Sequence, residues 1–480
     1  MPMKLQEVQV QALTPERLSP LIGPERTQRF DKTARAARDA LSGRAVLNVN
    51  STPTGGGVAE MLRTLLAYAR GVGVDTRWFV INGDPGFFAI TKRVHNHLYG
   101  TAGDGGPLEA AERAHYEKVL RPNAEELLTV VRPRDVVLLH DPQVAGIAPH
   151  LARVGATVVW RCHVGADTVN EHVERAWTFL RPYLADVDAY VFSRAAFAPS
   201  WADAQRVFVI PPSIDPFAPK NQAMEPEEVE AVLRYVGLIG GDGPPPRTGF
   251  TRADGSPGRV DRHADVLQTG PPPPPEAPLV VQVSRWDRMK DMAGVMTAFA
   301  EHVDGTSGSH LLLAGPVVTG VADDPEAAGV LDECIEVWRQ LPHSQRARIH
   351  LACVPMRDPD ENFVIVNAIQ RHAAVVTQKS IAEGFGLTVA EAMWKAKPIV
   401  ASAVGGIVDQ IVSGKHGLLI DNPHDLDSFG RAVRRLLDDP PYAASLGANA
   451  RRRAQAEFLG DRHLEQYAQL FAQLDAISKS

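Results

Sequence analysis

Arg44-Ala-Val-Leu-Asn-Val-Asn50 runs directly into Ser51-Thr-Pro-Thr-Gly55-Gly56-Gly57, and a helical pattern follows from Val58 to Arg70. A short apolar run, a glycine cluster and a helical period read as strand, turn and helix. The same grammar repeats outward from this point. Thr76–Ile81, Val136–Leu139, Thr157–Trp160, Ala189–Phe192 and Val207–Ile210 are further short apolar runs with helix-length segments between them. A second set opens at Leu279–Val283 and continues through His310–Leu313, Arg348–Leu351, Ala374–Thr377, Pro398–Ala401 and Gly417–Ile420. Strands alternating with helices build parallel sheets from βαβ units. The expected fold class is therefore α/β, with two Rossmann-like domains whose parallel sheets face a central cleft.

The pattern divides the chain. Residues 1–43 are charged and alanine-rich and read as an N-terminal extension of one or two surface helices. Residues 44–213 form the first domain and 214–460 the second, and 461–480 form a last helix placed to cross back to the first domain. Residues 241–278 hold 10 of the 37 prolines, including Pro244–Pro246 and the run Pro271–Pro275. So proline-dense a stretch predicts a surface insertion or semi-rigid connector without regular helix or sheet.

A length of 480 residues suggests about three domains of ordinary size and also fits two large ones. The net charge of −7 gives no electrostatic reason to expect nucleic acid or an anionic membrane as partner. No apolar run is long enough for a membrane span, and Met1–Pro20 lacks the apolar core of a signal peptide. Cys162, Cys334 and Cys353 are too few and too scattered for a disulfide frame or a zinc cluster. The expectation is a cytoplasmic enzyme acting on small molecules, with a homodimer left open.

Several motifs lie where strands end, which is where open α/β sheets bind ligands. The Gly55-Gly56-Gly57 turn lets the backbone approach an anion closely, although a tight strand-to-helix turn would use the same residues. It matches neither a dinucleotide fingerprint nor a Walker loop. Ser284-Arg285-Trp286-Asp287-Arg288-Met289-Lys290 follows the first strand of the second domain. Arg285 and Lys290 there are suited to neutralising a diphosphate, or form a solvated basic turn. Glu383-Gly384-Phe385-Gly386-Leu387-Thr388-Val-Ala-Glu391 follows a strand and opens a helix. Its carboxylates are strong acceptors for polyol hydroxyls; Thr388 and Glu391 also match a capping box, which leaves a structural reading of Glu391 open. In the first domain, His140-Asp141-Pro142-Gln143 ends one strand and Arg161-Cys162-His163 the next, a polar pair of strand ends. His95 and His97 lack a third metal ligand nearby in sequence.

Taken together, these motifs resemble the retaining glycosyltransferases of the family-4 type, which have the two-domain GT-B fold. The resemblance rests on Glu383 and Glu391 with seven residues between them, on SRWDRMK, on the glycine loop and on VGGIVDQI, and it spans roughly Arg44 to the C-terminus outside the proline-rich segment. STPTGGGVAEML, FFAITKRVHNHLYG, LLHDPQ, the RCH tripeptide and VVTQKSIAEGFGLT are more narrowly similar to the trehalose glycosyltransferring synthases, with the retaining trehalose phosphorylases as near relatives.

The resemblance implies an acceptor role for the first domain and a nucleotide-sugar donor role for the second. It implies that Arg285 and Lys290 bind the donor diphosphate, that Gly56 and Gly57 approach the donor, and that Glu391 binds ribose and Glu383 the donor glucose. Backbone N–H groups from Gly384 through Phe385, Gly386 and Leu387 to Thr388 would hold sugar and phosphate. Asp141, Gln143 and His163 would contact the acceptor side, with His163 near the reacting centre. His163, Arg285, Lys290 and Glu383 are thus the implied catalytic set. No metal and no cofactor are implied, since the nucleotide sugar is a substrate. The implied reaction joins glucose from a nucleotide-glucose donor to glucose. The alternatives are a phosphorylase acting on trehalose and phosphate, a transferase or pseudo-glycosyltransferase using another sugar or a cyclitol, and a non-catalytic sugar- or nucleotide-binding protein. Where the wider family often has Pro-Glu after the Gly-Gly turn, this chain has Val408-Asp409.

Overall fold

The computed structural model describes residues 5–54, 56–243, 248–303, 308–318 and 326–479. Two compact units emerge. The first runs to Ser213 and includes Glu383–Phe385 and the segment from Phe458 onward; the second comprises Ile214–Ala382 and Gly386–Glu457.

The first unit is built on β1 (Gln6–Val8), β2 (Val46–Asn50), β3 (Thr76–Val80), β4 (Val136–His140), β5 (Thr157–Cys162), β6 (Ala189–Phe192) and β7 (Val207–Val209). Their order across the sheet is β1-β3-β2-β4-β5-β6-β7. All neighbours are parallel except β1, which lies antiparallel on the β3 edge. The central strands are buried along their length, as helices on both faces of a parallel sheet require. Pairing of Asn48 with Leu138, and of His140 with Arg161, puts Asn48, His140 and Arg161 on one face. Apolar residues of that face, Val46, Val136, Leu138 and Val159, pack with Leu470 and Leu474 of the helix Gly460–Lys479. This last helix is fastened by ion pairs of Arg26 with Asp461 and of Arg44 with Asp475. Arg462 also donates to the carbonyls of Pro211 and Pro212 at 2.6 and 2.7 Å.

The second unit holds the hairpin β8 (Gly249–Thr251) and β9 (Pro257–Arg259), then β10 (Asp265–Leu267), β11 (Leu279–Val283), β12 (His310–Pro316), β13 (Ile349–Val354), β14 (Val375–Gln378), β15 (Ile399–Ser402) and β16 (Leu418–Ile420). The main sheet is ordered β10-β13-β12-β11-β14-β15-β16, with β10 antiparallel and the rest parallel. Its six parallel strands thus follow the doubly-wound order in which direction reverses between β11 and β14. In the first unit the corresponding reversal lies between β2 and β4.

The proline-rich segment departs from its sequence reading, because it contributes three strands. The prolines cluster at its ends. Between residues 248 and 270 only Pro257 occurs, at the first position of β9, where a missing N–H is tolerated. Pro271–Pro275 are outside helix and strand, and Pro244–Pro246 lie outside the described residues. The hairpin region is tied down by the buried Glu361, whose carboxylate accepts from the backbone N–H of Asp261 (2.7 Å) and Arg262 (2.9 Å) and pairs with the Arg262 guanidinium. Arg252 pairs with Asp358 at 2.7 Å. The N-terminal extension likewise departs from all-helical, since β1 adds a strand to the sheet edge.

Glu361→Ala removes an ionised acceptor from three donors, so a stability loss of about 2 kcal/mol or more is expected. Urea denaturation measures it, and limited proteolysis should then cut first between residues 248 and 270. An unchanged midpoint and cleavage pattern would show that the segment is held by other contacts.

Candidate active site

Both sheets place their polar strand ends at the point where the strand order reverses, the position at which doubly-wound folds open a ligand crevice. In the second unit two loops leave that point. The loop after β11 carries Arg285 and Lys290. Trp286 between them is fully buried and its indole N–H donates to the Pro316 carbonyl at 2.9 Å, which pins the loop. Asp287 accepts from the Met289 N–H at 2.8 Å and pairs with Arg285 at 3.3 Å. The Arg285 side chain is 40% exposed and Lys290 is half-buried, whereas Arg288 turns outward to Glu326 and Glu333.

The loop after β14 is joined to the first by Gln282. Its buried amide donates to the Lys290 carbonyl (2.7 Å) and accepts from the Lys379 N–H (2.9 Å). Lys379, also buried, pairs with Asp291, which holds a left-handed backbone (φ 44°) at the start of the helix Met292–His302. Gln282 and Lys379 escaped the sequence reading; the only signal was a glutamine inside the apolar strand Leu279–Val283.

Gly386, at φ 84°, turns the chain into the helix Leu387–Trp394. No capping box forms there. Thr388 Oγ1 donates to Gln378 Oε1 at 2.8 Å, and Glu391 Oε1 pairs with Lys220 at 3.1 Å. The box fails because the N-cap is Gly386, so Thr388 is already inside the helix. Glu391 Oε2 is buried without a hydrogen-bond partner among the described residues, a costly state that a ligand hydroxyl would relieve. Asp409 is exposed in the short helix Ile407–Gln410, with Arg453 donating to its carbonyl at 2.9 Å.

In the first unit, Gly57 begins the helix Gly57–Gly71 after Gly56, while Gly55 lies outside the described residues. Asp141 follows β4 in a left-handed conformation (φ 68°) unusual for a residue with a side chain. Its Oδ1 accepts the His163 N–H at 2.7 Å, so the two strand ends are locked together. His163 Nε2 is 3.2 Å from His140 Nδ1, and His140 Nε2 is 2.9 Å from Asn48 Oδ1. Burial, aided by the neighbouring Arg161 cation, pushes His140 down to about 3 and His163 well below the usual imidazole range. Burial pushes the Asp141 carboxyl up to about 7, against the opposing pull of the His163 N–H and Arg161. Gln143 is half-buried, and its Oε1 has no partner among the described residues.

Glu383, Gly384 and Phe385 also belong to this unit. Glu383 is buried, Phe385 packs edge-on against Phe458, and Gly384 lies so close to His163 that a Cβ there would come within 2.3 Å of the His163 carbonyl oxygen. Glu383 is therefore next in the chain to a residue packed on the His163 backbone. His97 is not part of this group; it is buried against His172.

Residues 48–199 match the family described as "Trehalose synthase, N-terminal domain", and residues 268–453 match "Glycosyl transferases group 1". The chain is 34% identical over 445 residues to the trehalose synthase of Rubrobacter xylanophilus, covering 90% of this chain and 91% of that protein. It is 26% identical over 413 residues to the trehalose phosphorylase of Pleurotus pulmonarius, covering 81% of this chain but 52% of that protein. Its structure is similar to that of the α,α-trehalose 6-phosphate synthase from Burkholderia multivorans, with a TM-score of 0.62, 15% identity and coverage of 91% and 99% of the two chains. This last likeness bears on the fold, which is the GT-B fold. No helix among the described residues is long and apolar enough to cross a membrane.

The raised Asp141 pKa has a consequence for stability. Below about pH 4 the carboxyl is neutral in both folded and unfolded chains; as pH rises through about 7 the folded chain must ionise a buried group, and its stability contribution is lost. Asp141→Asn keeps an acceptor for the His163 N–H and the shape of the side chain already seated there. Its melting temperature should exceed that of the unsubstituted protein by more at pH 8 than at pH 5. Equal differences at the two values would refute the assignment.

Proposed function

The chain belongs to the trehalose synthase family of group 1 glycosyl transferases, and from that premise we propose that it moves glucose from a nucleotide-glucose donor to free glucose, forming trehalose with retention at the anomeric carbon. The observation that carries the donor half of this reading is the junction of two loops at one strand-order reversal. One loop carries the half-exposed Arg285 and Lys290, and the helix that follows the other carries Glu391, a buried carboxylate with one oxygen lacking a hydrogen-bond partner among the described residues. A diphosphate supplies the anion those cations suit, and a ribose supplies the hydroxyl donors that Glu391 Oε2 lacks. Gly56 and Gly57 approach the donor, and the N–H groups of Leu387 and Thr388, which open a helix, face its phosphate or sugar. Glu383 accepts from donor-glucose hydroxyls beside His163, and Asp141 and Gln143 hold the acceptor.

On this reading the α-linked donor is attacked from the face its leaving group departs. The C1–O bond to the diphosphate breaks as the acceptor O1–C1 bond forms, and the departing phosphate oxygen takes the acceptor hydroxyl proton. The products are α,α-trehalose and nucleoside diphosphate. Arg285 and Lys290 stabilise charge that grows on the leaving group, and holding both sugars in place supplies much of the remaining rate. No metal ion and no cofactor are called for, and the partners are small molecules.

The orphan Glu391 oxygen favours this over phosphorolysis of trehalose, a reaction without a ribose. Chromatography of products from UDP-, ADP- or GDP-glucose with glucose, beside trehalose with phosphate, tests the choice. Trehalose and free nucleotide in the first mixture are expected; glucose 1-phosphate from the second alone would make the protein a phosphorylase. Lys290→Ala should fold normally and lose about 10²–10³ in kcat, as the removal of one preorganised charge contact does; unchanged turnover would remove it from the site. Glu391→Ala should raise the donor KM about tenfold or more, the worth of a hydrogen bond to a charged group. Undiminished activity would overturn the ribose assignment.

A further inference from the structure

The side chains behind His163 form a chain with only one consistent direction. Asn48 Oδ1 is a carbonyl oxygen and can only accept, so His140 Nε2, 2.9 Å away, carries a proton. His140 is 2% exposed and beside Arg161, an environment that keeps the imidazole neutral. A neutral imidazole has a single N–H, so His140 Nδ1 is an acceptor and the proton between the rings, 3.2 Å apart, lies on His163 Nε2. The two rings stack with their planes 15° apart, and His163 is anchored at its backbone by Asp141. Asn48 itself is fixed in β2, one strand from His140, and both line an apolar cavity of about 90 Å³ walled by the helices Pro24–Ala40, Gly57–Gly71 and Gly460–Lys479. The greasy side chains lining that cavity, among them Leu62, Leu66 and Leu138, leave few competing polar partners on that side of the pair.

We infer that Asn48 and His140 are positioning residues for the reaction: their hydrogen bonds hold His163 in the tautomer with its proton on Nε2, leaving Nδ1 as an acceptor for a sugar hydroxyl. The second half of this statement rests on the place given to His163 under the proposed function; the first half does not. A sugar hydroxyl that donates to a neutral acceptor is held without a charge, and a ring fixed in one tautomer and one orientation is ready before the substrate arrives. The signal in sequence was slight, because an asparagine in a buried strand and a histidine at the end of another are each ordinary structural residues.

Long-range 1H–15N correlation spectra of the full chain, labelled with ring-15N histidine, read the tautomer directly, with His163→Gln identifying the signals. The expected result is a protonated Nε2 and a bare Nδ1. A proton on Nδ1 would overturn the inference without bearing on the glycosyl transfer. Asn48→Leu should mix the tautomers and lower kcat roughly tenfold with little change in donor KM, a loss on the scale of one hydrogen bond. A mixed tautomer with unchanged kcat would overturn the positioning role. A fixed tautomer in a protein whose His163→Gln variant retains full turnover would leave the hydrogen-bond chain standing and remove His163 from the reaction.

Discussion

A parallel strand ends with its last backbone groups unsatisfied and its chain obliged to turn toward one face of the sheet. Where two neighbouring strands turn to opposite faces, the space between their ends is left for side chains or a ligand. Both units of this protein obey that constraint, at β2 and β4 in one and at β11 and β14 in the other. Most residues given a role in the proposed reaction come from loops or helices that begin at these two places; His163 follows the next strand, β5, and is tied back to β4 through Asp141. The rest of each unit supplies rigidity, through strands buried on both faces and helices that cover them.

What the loops do at those points is decided by buried polar side chains one layer behind the ligand-facing ones. Gln282 joins the backbone of Lys290 to that of Lys379. Asp141 joins one strand end to the next through the His163 N–H. Lys220 pairs with one oxygen of Glu391, and the other has no hydrogen-bond partner among the described residues. Each of these arrangements fixes a charged or polar group in place before a substrate is present, which is the condition under which electrostatic stabilisation costs no reorganisation.

The core strands were legible because each is a short apolar run bounded by glycine or polar residues, and the alternation with helices dictates a parallel sheet. Arg285, Lys290 and Glu383 were legible as charged residues in loops that follow strands and Glu391 as a carboxylate one turn into a helix, while spacing alone left a solvated turn open for the first two and a capping box open for Glu391. The edge strands β1, β8, β9 and β10 were not legible. They are three residues each, and they exist because a neighbouring strand or the Glu361 carboxylate offers partners to their backbone, a condition no local pattern records. Thr388 and Glu391 matched a capping box in spacing, yet a glycine in the left-handed conformation took the cap position first. Asn48, Gln282 and Lys220 act across separations of tens to hundreds of residues, so their roles appear only in the folded chain.

The most direct test of the account follows the anomeric carbon itself. A nucleotide-glucose donor labelled with 13C at C1 would be mixed with unlabelled glucose and the protein, and the reaction followed by NMR. The account requires the label to move from an α-linked phosphate ester to an α,α-linked, non-reducing disaccharide, with nucleoside diphosphate released in equal amount. A β-configured label, or label appearing only in free glucose, would contradict retaining transfer to a sugar acceptor.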